Sequence, residues 1–262
     1  MTPEIVCAKE RKGTSMRSKL LLVFGLSVAG TALPSLGADG LDAKGPKHSF
    51  EVTSTERVNF LPGGTIRLVN SYGYLSVEGW DEPEVEVSVT KSTNHFYDPG
   101  KKADAERRLK QVRVVTERRS DTELAISTIP PARNPFLGWL EPDNRRGVTV
   151  DYRVRVPRNS RLSVHQDTGY VWVSDVTGNI DVNSRTGDMI VMLPDPGPYS
   201  IDARTRMGSV SSDFTGKGGY RFVAGTHFTY AGQTPLRRIY LRMGFGSITI
   251  NRGPPSGPFW KD

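Results

Sequence analysis

Hydrophobic and other positions alternate along much of this chain, and in five places the alternation follows one phrase. Two apolar residues, two apart, precede a polar stretch; a glycine follows, then two more apolar residues two apart. Leu162, Val164, Gly169, Val171 and Val173 give the clearest copy, and Ile180, Val182, Gly187, Met189 and Val191 repeat it. Ile201, Ala203, Gly208 and Val210 follow, with Ser212 in the last slot, and then Ile239, Leu241, Gly246, Ile248 and Ile250. A copy far upstream reads Ile66, Leu68, Gly73, Leu75, Val77. Period two is the mark of a strand with one buried face, so each half of the phrase reads as a short strand. The glycine always falls seven residues after the first apolar position, where a sharp turn between strands calls for positive φ.

The copies starting at 162, 180 and 201 are 18 and 21 residues apart. The next step, from 201 to 239, is 38 residues and suits two turns with a degenerate copy between them, around Tyr220, Phe222 and Gly225. Repeats of this period belong to solenoids, whose turns bury their apolar sides only by stacking. The pattern therefore predicts an all-β protein: a single-stranded β-solenoid or β-helix-like stack of short strands, led by a β segment with one short helix.

The remaining patterns divide the chain. Phe50 and Val52, then residues 84–89, alternate as strands, and Leu61-Pro62-Gly63-Gly64 is turn chemistry. Residues 101–110 read as a charged helix with Ala103, Leu109 and Val112 as a thin apolar stripe. Its basic run is mixed with Asp104 and Glu106, as expected of a solvated face. Leu124, Ile126 and Thr128 alternate before a Pro-rich loop at 129–146, which carries Phe136, Leu137, Trp139 and Leu140 either folded over a sheet end or presented to a partner. Residues 148–157 form the longest alternating strand. The expected units are thus a leader at 1–37, an N-terminal β segment at 38–160, the repeats at 161–252 and a fraying tail at 253–262.

Composition supports this layout, with 27 Gly and 18 Pro and few helix-forming runs. Met16, Arg17, Ser18 and Lys19 precede an apolar run from Leu20 to Leu33, and small residues at Ser35 and Gly37 suit cleavage before Ala38. That is the three-part pattern of a secretory signal peptide, with Met16 a candidate start; its apolar run is short for a membrane span, and the alternative is an uncleaved N-terminal anchor. Export to the periplasm, cell surface or exterior follows. Cys7 lies upstream of the leader, so the exported part carries no disulfide, thiol or lipid attachment site. The net charge of +7 falls to +4 once the five basic and two acidic residues of 1–37 are removed, which is no footprint for nucleic acid.

An alternating strand ending in Val156-Pro157, followed by Asp167-Thr168-Gly169, Ser184-Arg185-Thr186-Gly187 and Met207-Gly208, resembles the bacterial putative-adhesin family over roughly residues 48–252. The resemblance implies a β-solenoid-like domain of unknown function outside the cytoplasm, with adhesion as its inferred role. It transfers no catalytic residue, and the Pro-rich loop and the irregular stretch near 220 depart from it.

If the apolar positions point inward, the residues between them line up outward from turn to turn, about 4.8 Å apart. The first such line runs Arg67, Ser163, Asp181, Asp202, Tyr240, which sets Asp181 beside Asp202. A carboxylate pair would serve acid/base chemistry on a sugar or hold Ca²⁺. Arg185, Arg204 and Arg206, just downstream, offer plain charge compensation instead. After the glycine come Tyr74 and Tyr170, with Trp172 two residues further. Exposed flat rings would suit a glycan or a surface-protein partner, and the alternative is burial under the N-terminal segment or the Pro-rich loop.

No other motif carries chemistry. His48, His95, His165 and His227 lack paired spacing, and no nucleophile elbow, phosphate loop or dinucleotide motif occurs. The expectation is a non-catalytic binding or adhesion surface without cofactor or metal, with Tyr74, Tyr170, Trp172, Asp181 and Asp202 as candidate surface residues. The alternatives are a carbohydrate-active enzyme using Asp181 and Asp202, and a purely structural envelope domain.

Overall fold

The computed structural model describes residues 49–93, 102–129, 148–194, 197–221 and 224–253. The leader, residues 130–146 of the Pro-rich loop, Phe222 and the tail beyond Gly253 lie outside the described residues, while Ile129, expected in the loop, ends a strand. The chain is mostly strand with one helix, and its strands form one large sheet. In chain order they are β1 Glu51–Asn59, β2 Thr65–Trp80, β3 Glu84–Thr93, β4 Arg113–Ser120, β5 Glu123–Ile129, β6 Val148–Pro157 and β7 Arg161–Ser174. Then come β8 Ile180–Leu193, β9 Tyr199–Met207, β10 Val210–Ser212, β11 Lys217–Arg221, β12 Gly225–Ala231 and β13 Arg237–Arg252. The sheet order is β1-β3-β6-β2-β7-β8-β13-β9-β12-β11, so the path ends at two open edges and does not close.

The phrase spans one long strand rather than two short ones. β2, β7, β8 and β13 each run straight through their glycine for 14 to 16 residues. They pair in parallel and in register, Gly73 with Gly169, Gly169 with Gly187, and Gly187 with Gly246. In a straight strand Leu162 and Val171, nine residues apart, would face opposite ways. Both are buried in a single core with Leu68, Val77, Ile180 and Ile250, so the pleat changes face at the glycine. The glycines there take φ between +124° and +134°. A Cβ on Gly246 would lie 1.6 Å from the Gly187 carbonyl oxygen. No other residue meets both demands.

Just before the glycine, one inward row carries polar side chains that bond to corner carbonyls. Gln166 Nε2 donates to the Gly73 and Thr168 carbonyls, each at 2.9 Å, and Thr205 Oγ1 donates to the Gly208 carbonyl at 3.0 Å. Carboxylates cap the residue after the glycine on a neighbouring strand. Asp151 accepts from Tyr74 N–H at 2.7 Å, and Asp188 from Ser247 N–H at 3.1 Å. Buried backbone groups are thereby satisfied at a place where ladder pairing lapses.

β5 and β6 together form a further layer, divided in sequence by the Pro-rich segment. β5 pairs with the first half of β2, setting Leu124 on Ile66 and Ile126 on Leu68. β6 pairs with the second half, setting Tyr152 on Leu75 and Val154 on Val77. Thr128 Oγ1 donates to Asn70 Oδ1 at 3.0 Å and contacts Tyr152 Oη at 2.6 Å, joining the two halves. The stretch between 212 and 239 is no copy of the phrase. β11 and β12 form an antiparallel hairpin that lies on β9.

The helix, α1, spans Lys102–Gln111. Its buried residues are Ala105 and Leu109, one turn apart, rather than the expected Ala103, which is exposed. Lys91 Nζ donates to the Val112 carbonyl at 2.7 Å and ties the helix end to β3.

Candidate anion-binding cleft

Stacking order and chain order part company at β13. It inserts between β8 and β9, pairing in parallel with both. Asp181 therefore faces Tyr240, and Tyr240 faces Asp202. The expected carboxylate neighbours are held a strand apart, because the chain makes the β11–β12 hairpin and then returns inside it. Asp181 is exposed and has no ion pair among the described residues.

Asp202 sits among arginines. Arg204 binds it in a fork, Nε at 2.9 Å and Nη2 at 3.1 Å, and Arg242 Nη2 adds a third bond at 2.8 Å. Arg242 Nη1 also donates to the Asp202 and Leu241 carbonyls, while its guanidinium lies 3.5 Å from the Tyr240 ring centroid. Partial burial alone would raise the Asp202 carboxyl. The bonds and charges of Arg242 and Arg204 outweigh it and hold the group below the usual carboxylate range.

Two residues before each corner glycine the chain points outward, and here the row changes character. Ser71 and Asp167 occupy it on β2 and β7; Arg185, Gly244 and Arg206 occupy it on β8, β13 and β9. Gly244 is required by close approach, since a Cβ there would lie 2.3 Å from the Arg185 carbonyl oxygen. Its missing side chain leaves a gap between Arg185 and Arg206, two strand spacings or about 9.6 Å apart at the backbone. The result is a cleft of about 740 Å³ lined by Arg185, Arg204, Arg206 and Arg242. Two of these four guanidiniums, Arg204 and Arg242, share the Asp202 carboxylate. Arg185 and Arg206 are exposed and form no ion pair among the described residues.

The next row in register contributes Phe245 to the cleft lining. Tyr72, Thr168, Thr186, Phe245 and Met207 align across five strands. Phe245 is 45% exposed and Met207 47%. Ser184, beside Arg185, has a buried hydroxyl without a hydrogen-bond partner among the described residues.

The aromatic candidates separate. Tyr74 and Tyr170 are register neighbours, Tyr170 at 57% exposure and Tyr74 half-buried, where burial pushes its phenol up. Trp172, expected beside Tyr170 on an open face, is buried at 5% exposure. Ser76 and Ser174 on the same outward side are buried as well, so the face beyond the corner is covered there. Arg242 was missed by sequence reasoning because it belongs to β13, whose place in the stack the pattern does not reveal. Arg185 and Arg206 were legible as a pair, both standing two residues before a corner glycine.

Among the described residues no group of three or more His, Cys, Asp or Glu is placed to hold a metal ion. No helix there is long and apolar enough to cross a membrane. No family model matches the chain, and no curated protein matches it. Among solved structures it is similar to one described as a putative cell adhesion protein from Clostridium sporogenes. That likeness has 12% identity, covers 76% of this chain and 99% of that one, and has a TM-score of 0.45. A likeness so distant says nothing about the cleft.

Proposed function

We propose that this is an exported, non-catalytic protein of the adhesin type, whose solenoid-like stack of strands is a scaffold for a binding surface. The arginine cleft on β8, β13 and β9 is that surface, and its ligand is anionic. The observation that carries the reading is the charge count: four arginines line the cleft, Asp202 pairs with two of them, Arg204 and Arg242, and Arg185 and Arg206 are open to solvent and unpaired among the described residues. A guanidinium offers a planar fork of donors to a carboxylate, sulfate or phosphate. The leader at 16–37 supports export.

The carbohydrate-active alternative finds less support. A glycosidase needs two carboxyl groups flanking one bond, one of them protonated. Here Tyr240 stands between Asp181 and Asp202, and two arginines hold Asp202 ionised.

Two polyanions with different backbones, polyphosphate and polygalacturonate, test the reading by equilibrium binding across a range of salt. The protein should hold at least one of them, more weakly as salt rises. An Arg185→Ala/Arg206→Ala double variant, altered only at exposed positions, should keep its thermal unfolding profile and lose most of that affinity. Binding of neither polymer, or binding undiminished in the double variant, would sink the proposal.

A further inference from the structure

We infer that the cleft recognises an acidic polysaccharide, one whose uronate-type sugars run across the strands along the corner; this rests on the anion-binding reading above and names its ligand class. The charges are only part of the surface. Beside Arg185 and Arg206 the next row places Tyr72, Thr168, Thr186, Phe245 and Met207 on successive strands. Four strand spacings make that row about 19 Å long, enough for several sugar rings. Tyr72 is 40% exposed and Phe245 45%, so each offers a ring face on which the C–H face of a pyranose can lie. The threonine hydroxyls between them donate to and accept from sugar hydroxyls. Arg185 and Arg206 flank the Gly244 gap and are spaced to take carboxylates from sugars along one polymer.

Other polyanions fit less of this surface. Nucleic acid calls for many cations, whereas two exposed guanidiniums stand here unpaired and the exported part carries only +4. A membrane surface calls for a broad apolar face, whereas Phe245 and Met207 are two side chains at the cleft edge. A rigid row of rings, hydroxyls and charges at fixed strand spacing matches a polymer with a regular repeat.

Calorimetric titration of the purified protein with a short oligogalacturonate tests this, beside three controls: a neutral oligosaccharide of equal length, polyphosphate, and phosphatidylglycerol vesicles. Oligogalacturonate should bind and the neutral sugar should not. Arg185→Ala and Arg206→Ala should each weaken oligogalacturonate by about tenfold, the worth of a charge-assisted hydrogen bond. Phe245→Ala should weaken it by about fivefold and leave polyphosphate unaffected. The thermal unfolding profile of each variant, all at exposed positions, reports whether the fold is kept. Polyphosphate bound through the arginines while oligogalacturonate binds no tighter, or ignores Phe245→Ala, would overturn the glycan and leave the anion reading standing. Vesicle binding that depends on Phe245 would overturn it in favour of a lipid surface. Failure of every anion would overturn both readings.

Discussion

The corner on β2 and β7 and the corner on β8, β13 and β9 share one backbone and carry opposite chemistry. Both turn at a glycine near φ +130° and keep the same spacing to their apolar residues. On β2 and β7 the inward row holds Asn70 and Gln166, bonded to corner carbonyls, and the outward row holds Ser71 and Asp167. On β13 the inward position is the apolar Met243, and the outward positions around it are Arg185, Gly244 and Arg206. The scaffold demands the glycine column, the apolar stripes and the polar groups that satisfy the corner backbone. The exposed outward positions are under no such demand, which is how one sheet can grade from a neutral or acidic surface to a cationic one.

The glycine column offers the strongest test that the two corners are one structure. Gly169→Ala and Gly246→Ala should each cost about 4 kcal/mol or more, since a strained φ is compounded by a backbone clash. Gly63→Ala is the control, at φ +86° with nothing within 4 Å of its Cβ. It should cost about 1 kcal/mol. Urea midpoints at constant slope measure all three. A mild effect at one corner and a severe one at the other would show that the corners are not equivalent.

The same column marks how far the sequence could be read. Period two and the seven-residue step to glycine identified the parallel neighbours β2, β7 and β8, because stacked copies must keep register to bury their apolar rows. Layer order was not legible. Nothing in the alternation says that residues 237–252 slide between β8 and β9, and that one insertion separates Asp181 from Asp202 and brings Arg242 to the cleft. The layer divided between β5 and β6 was hidden for a related reason. Eighteen residues, 130–147, stand in the sequence between β5 and β6, so the two halves read as unrelated strands. Trp172 shows a third limit: alternation tells which residues leave the core, and coverage of the second face decides whether they reach water.

Asp202→Asn sharpens the contrast from the cationic side. It leaves Arg204 and Arg242 without their anion and should cost about 1 kcal/mol at neutral pH, as for a half-exposed ion pair. The carboxyl is held below its ordinary value when folded. Its stabilisation is therefore full above the unfolded carboxylate value, near 3.9, and is lost as pH falls through the folded one. Wild type and variant should thus differ in denaturant midpoint at pH 7 and converge under acid. The variant should also bind polyanions several-fold tighter at pH 7, because the cleft's internal competitor is gone. Tighter binding with no convergence would assign the stability effect to packing rather than to charge.

Asp167→Arg has the smallest expected effect on the fold and bears most directly on whether the two corners form one surface. Asp167 lies in the outward row next to Arg185 and approaches the exposed His165 ring at 3.8 Å. Replacing it disturbs no buried group, so stability should move by no more than about 0.5 kcal/mol. It would set a third guanidinium in line with Arg185 and Arg206 while removing a carboxylate that repels an approaching anion. Affinity for polygalacturonate should rise about threefold, with a steeper dependence on salt, as for added charge at the edge of an interface. The rise should vanish when Arg185→Ala and Arg206→Ala are combined with it, since one arginine without its neighbours cannot hold a polymer. An affinity gain that survives their loss would mean that charge anywhere on this sheet attracts the ligand and that the row around Gly244 has no special part in binding it.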